Sequence, residues 1–109
     1  MNLILELNEK RKLLNQALYE STERGKKLAQ AERAYKVANA KFILEQRAIG
    51  TPATLIKDLA MGDEVVSGLR LERDIASVYY ENAREAINSY KLEARLIEEQ
   101  IAREWSAAK

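Results

Sequence analysis

The chain has 109 residues, a net charge of +1, a single proline and neither cysteine nor histidine. Without cysteine there is no disulfide framework, thiolate nucleophile or ordinary zinc cluster, and without histidine the commonest general base and metal ligand are missing. A catalytic residue, a metal or another cofactor is therefore not expected, and an enzyme is not the expected function class. No run approaches 18 apolar residues, and MNLILELNEK has no basic leader or small-residue cleavage site, so the expectation is a soluble, cytoplasmic protein without membrane contact.

The remaining composition, rich in Ala, Leu, Glu, Lys, Arg and Gln, favours long helices because these side chains lose little rotamer freedom there. The first predicted element is a helix over about 2–49. Leu7, Leu14, Ser21, Leu28, Tyr35, Phe42 and Ile49 recur every seven residues, the interval of a helix that lies along another helix. Leu14, Leu28, Tyr35 and Phe42 are its candidate seam residues. Ala17, Ala31 and Ala38 run beside them and allow a partner backbone to come close. Glu6/Lys10, Glu20/Arg24, Glu23/Lys27 and Glu32/Lys36 have the favourable order for i,i+4 support of the helix, about 0.2–0.5 kcal/mol each.

The stretch AIGTPATLIKDLAMGDEVV then interrupts the pattern. Gly50 falls where a left-handed residue closes a helix, and Thr51 with Pro52 supplies a capping oxygen and a proline for the first turn of a short helix over about 52–60. If the Thr51 hydroxyl makes that cap, its removal costs about 0.5–2 kcal/mol. Leu55, Ile56 and Leu59 share one face of the short helix, and with Val65 they are expected to close the end of the hairpin. Gly62 is placed to stop it, and Asp63 to cap the next.

A second long helix is predicted over about 64–106, with its seam along Leu69, Tyr80, Ile87, Tyr90, Ile97 and Ile101. Ile75, Val78, Tyr79, Leu92 and Leu96 lie off that seam, so this helix needs more than one neighbour. Two helices of this length, each roughly 65–70 Å at 1.5 Å per residue, cannot enclose a core as a lone pair. The expected architecture is all-α: one domain over 1–109, a long antiparallel coiled-coil-like hairpin with a short helix at its tip, which dimerises into a four-helix bundle. Residues 1–50 carry ten Lys or Arg against six acids and residues 51–109 carry eight against eleven. That complementarity suits two helices folded back on each other without an outside partner.

Four features have a functional reading. Helix end, short helix and helix start outline a helix-turn-helix, but Asp63 and Glu64 would meet the phosphates, and Lys57, Arg70 and Arg73 are offset by Asp58, Glu72 and Asp74. Lys12, Lys26, Arg33 and Arg47 form a basic row that could follow a nucleic-acid backbone, yet Glu9, Glu20, Glu23 and Glu32 interleave with it as on a solvated face. Glu81/Glu85 and Glu98/Glu99 lack the histidine that di-metal bundle sites use. Trp105 is expected to pack at the bundle end, and Tyr79, Tyr80 and Tyr90 between helices.

The run from LNEKRKLLNQAL to IAREW resembles a family of small helical proteins of tailed bacteriophages and prophages of Gram-positive bacteria. The resemblance is carried by GTPAT at Gly50 to Thr54, LAMGD at Leu59 to Asp63, EAINSYKLEARLIEEQI and the closing REW. It implies a phage setting and host bacterial cytoplasm, and brings no activity or site residue with it. The resulting expectation is a non-enzymatic interaction protein that binds itself and an unidentified protein, either a replication or recombination component or a host factor. The alternatives are a nucleic-acid-binding accessory protein and an inhibitor of a host defence protein.

Overall fold

The computed structural model describes residues 2–108. Among the described residues there are three helices: α1 over Leu3–Ala48, α2 over Ala53–Gly62 and α3 over Glu64–Ala107. The arrangement is all-helical and hairpin-like. It divides into two compact units, Met1–Glu23 with Tyr80–Lys109, and Arg24–Tyr79, and α1 and α3 run antiparallel in each.

Both ends of α1 have an identifiable cause. Asn2 Oδ1 accepts the backbone N–H groups of Ile4 at 3.0 Å and Leu5 at 3.3 Å, satisfying two of the donors that a helix start leaves open. At the other end Gly50 adopts φ +81°. Its N–H donates to the Arg47 carbonyl at 3.1 Å and the Thr51 N–H donates to the Gln46 carbonyl at 3.0 Å. This pair of bonds is the Schellman closure, which requires the left-handed residue that glycine supplies at no steric cost.

The cap expected from Thr51 is not made. Pro52 is the residue that precedes α2, at φ −56° and ψ 133°, and no side chain caps the helix. The Thr51 hydroxyl instead bonds Gln46 Oε1 at 2.7 Å. The residue before a proline is held extended, so Thr51 faces back over the end of α1 and staples it. Gly62 is the last helical residue of α2, and it ends that helix without the positive φ that among the described residues Gly50 alone adopts. Asp63 performs the cap assigned to it, its Oδ2 accepting the Val66 N–H at 3.0 Å. One residue thus ends α2 and starts α3. A helix-turn-helix needs a turn of about three to four residues there, so that outline is not realised.

Asp63→Ala is expected to cost about 0.5–2 kcal/mol through loss of the cap. Thr51→Ala and Gln46→Ala are expected to lower the melting midpoint equally and without adding in the double variant, since both break one bond. Additive losses would show that the hydroxyl acts elsewhere.

Burial is thin and divided between the units. Leu7, Ala17, Ala83 and Ala94 are buried in the first, and Ile56, Ala60 and Val66 in the second. In the first unit Leu14, Tyr80, Ile87, Tyr90, Ile97 and Ile101 are half-buried, as are Leu28, Tyr35, Phe42 and Leu69 in the second. The seam carries polar groups as well. Lys10 Nζ lies 2.9 Å from Glu93 Oε2, so Lys10 pairs across to α3, with the charge of Glu6 adding a smaller attraction. Arg24 Nη1 donates to the Tyr79 carbonyl at 3.0 Å, and the Arg73 guanidinium sits 4.6 Å from the centre of the Tyr35 ring.

Three packing expectations need correction. Of the tip residues only Ile56 turns inward; Leu55, Leu59 and Val65 are exposed. Neighbouring positions on a helix point about 100° apart at 3.6 residues per turn, so the stripe that buries Ile56 and Ala60 turns Leu55 and Leu59 outward. Trp105 is 69% exposed and does not pack as an anchor, because it stands one residue beyond Glu104 at the position the seam rhythm reaches. Tyr79 is likewise exposed beside the half-buried Tyr80, with Arg24 5.9 Å from its ring centre.

Candidate functional site

The tip of the second unit contains a groove of about 450 Å³ between all three helices. From α1 come Tyr35, Asn39, Ile43 and Arg47, spaced by four and so aligned along one ridge. From α2 come Ala53, Ile56, Lys57, Ala60 and Met61; from α3 come Val66, Ser67 and Arg70. The buried Ile56, Ala60 and Val66 form its floor.

Its charge is of one sign. Each helix contributes one cation, Arg47, Lys57 and Arg70, and no carboxylate lines the groove. Among the described residues no ion pair engages these three. Asp63 is occupied by its helix cap, and Asp74 is held by Arg73 Nη2 at 2.8 Å. That bond, opposed by partial desolvation, raises the Arg73 pKa above its ordinary value. The Arg73 guanidinium covers one face of Tyr35, so the ring at the rim of the groove is already stacked.

In the first unit the ion pairs hold α1 to α3. The hydrogen bond and the charge of Glu93 raise the Lys10 pKa above its ordinary value, and Glu93 Oε2 is itself shielded from solvent, so the Lys10 ammonium is what compensates it. Arg11 and Glu98, 3.3 Å apart, are both well exposed and such a pair contributes little. A shallow hollow between Asn2, Ile4, Ile101 and Trp105 contains no cation and one carboxylate, Glu104.

The basic row is exposed throughout: Lys12 in the first unit, and Lys26, Arg33 and Arg47 in the second. Of these, Arg47 lines the groove. Among the described residues no group of three or more acids could hold a metal ion, and no helix is long and apolar enough to cross a membrane. The groove itself escaped sequence reasoning, which counted Asp58 and Glu72 as offsets to Lys57 and Arg70 although neither carboxylate lines it.

No family model matches the chain, and neither a curated protein nor a solved structure matches it.

Proposed function

We propose that the chain is a non-enzymatic helical interaction protein that pairs with a second copy of itself and binds another protein. The observation that carries this reading is the outward face of α3. Leu71, Ile75 and Val78 in the second unit, and Leu92 and Leu96 in the first, are all exposed. Spacings of three and four put the members of each group on one face. Isolated exposed apolar residues are ordinary, but clusters at helical spacing mark contact surfaces.

The total surface supports the same reading. The chain leaves 8212 Å² accessible, where a folded monomer of 12.4 kDa would leave roughly 6,100 Å². The surplus of about 2,000 Å² per chain, about 4,000 Å² for two, falls in the range of the larger, permanent interfaces. Pairing of two hairpins through α3 would make a four-helix bundle, and in keeping with the sequence resemblance the second partner would be a phage replication or recombination component or a host protein.

Light scattering at micromolar concentration is expected to give twice the 12.4 kDa chain mass. Ile75→Glu with Leu92→Glu is expected to give the single-chain mass with unchanged helical circular dichroism. A monomer in the unsubstituted protein refutes self-pairing.

A further inference from the structure

We propose that the tip groove is a docking site for a short acidic segment of a partner protein, with aliphatic side chains set between its carboxylates. This rests on the interaction reading above and names the chemistry of the second partner.

Charge complementarity is the first argument. Arg47, Lys57 and Arg70 reach the groove from three different helices, and no acid lines it. Arg47 also lies in the last turn of α1, where a cation offsets the helix dipole. Lys57 and Arg70 have no such local role. Arg70 is half-buried and no hydrogen bond, ion pair or ring contact among the described residues engages it, so it stands at the groove without a counter-charge. A carboxylate from outside would form a charge-assisted bond there, about twice as strong as a neutral one.

The floor supplies the second argument. Above the buried Ile56, Ala60 and Val66, the half-buried Ile43 and the exposed Met61 offer apolar surface that a carboxylate alone, or a phosphodiester backbone, would leave uncovered. A volume of about 450 Å³ falls in the range of clefts that seat small ligands and side-chain clusters. A nucleic-acid strand would call for an open aromatic face on which to stack a base. Tyr35, the one aromatic residue at the groove, carries the Arg73 guanidinium on its ring. An acidic segment with leucine-like side chains satisfies both walls and floor.

The test titrates the full chain against a fluorescein-labelled peptide built from glutamate, leucine and alanine. Saturable binding is expected, weaker by at least about tenfold when lysine replaces glutamate or serine replaces leucine. Lys57→Glu with Arg70→Glu is expected to abolish it while circular dichroism is unchanged, and Lys57→Arg with Arg70→Lys to retain it. The proposal is overturned if the acidic peptide does not bind, if the charge-reversed chain binds it equally, or if labelled oligo-dT binds more tightly and displaces it. It is also overturned if charge reversal makes the chain monomeric by light scattering, since the groove would then belong to the self-interface. Failure of the peptide with an intact dimer leaves the interaction reading standing and removes only the groove.

Discussion

Ile56→Ala is expected to cost about 2–5 kcal/mol in chemical denaturation, a large share of the roughly 5–15 kcal/mol that keeps a small domain folded. Ile56 is 5% exposed, and with Ala60 it is all that α2 buries. A helix of ten residues is too short to persist alone in water, since isolated helices under about 12–15 residues are marginal. Its order therefore depends on docking, and the docking depends on this one large side chain. Amide exchange over residues 53–62 should consequently accelerate far more than exchange in α1 or α3. Leu55→Ala and Leu59→Ala, one and three residues away but exposed, are expected to change stability by no more than about 0.5 kcal/mol. Equal effects of Ile56→Ala and Leu55→Ala would contradict the orientation of α2. The same variant empties part of the groove floor, so any ligand of the groove should also be weakened.

The punctuation of the fold was legible in the sequence because it depends on local chemistry. Glycine at position 50 meets the need for a left-handed residue, and Asp63 has the oxygen that an open N–H requires. The helices at Leu3–Ala48 and Glu64–Ala107 stand beside predicted spans of 2–49 and 64–106. Thr51 was misread for an equally local reason. Position 51 offers a capping hydroxyl, but Pro52 forces its backbone extended, and the hydroxyl then meets Gln46 before it meets any amide of α2.

The groove was illegible for a different reason. Residues next to each other in a helix differ by about 100° in direction, so Lys57 and Asp58 cancel in a charge count and still face different surroundings. Arg73 and Asp74 are the exception, with a long guanidinium that folds back to its neighbour at 2.8 Å. Net charge along a segment reports solubility and encounter, whereas the potential in a concavity depends on which side chains line it. The signal that could have found the groove was the i,i+4 ridge Tyr35, Asn39, Ile43 and Arg47, which carries no acid and ends at the turn.

Ala83→Leu is expected to destabilise the protein by about 1–3 kcal/mol, although a leucine is what a heptad pattern would seem to invite. Among the described residues of the first unit three of the four that are buried are alanines, Ala17, Ala83 and Ala94, and Ala83 is 3% exposed. Small side chains at the most buried positions, flanked by half-buried Tyr80, Ile87 and Tyr90, mean that α1 and α3 come together on alanine surfaces with larger residues packed to the sides. A longer side chain at so buried a position must push the helices apart or adopt a strained rotamer. Intrinsic helix propensity does not confuse the result, because leucine is nearly as favourable as alanine. Lys91→Leu, at an exposed position of α3 about 100° around the helix from Leu92, controls for added hydrophobicity and is expected to leave the thermal midpoint nearly unchanged. A raised midpoint for Ala83→Leu would mean that the helices are spaced for large side chains, and the alanines would then be unfilled positions in an ordinary leucine seam.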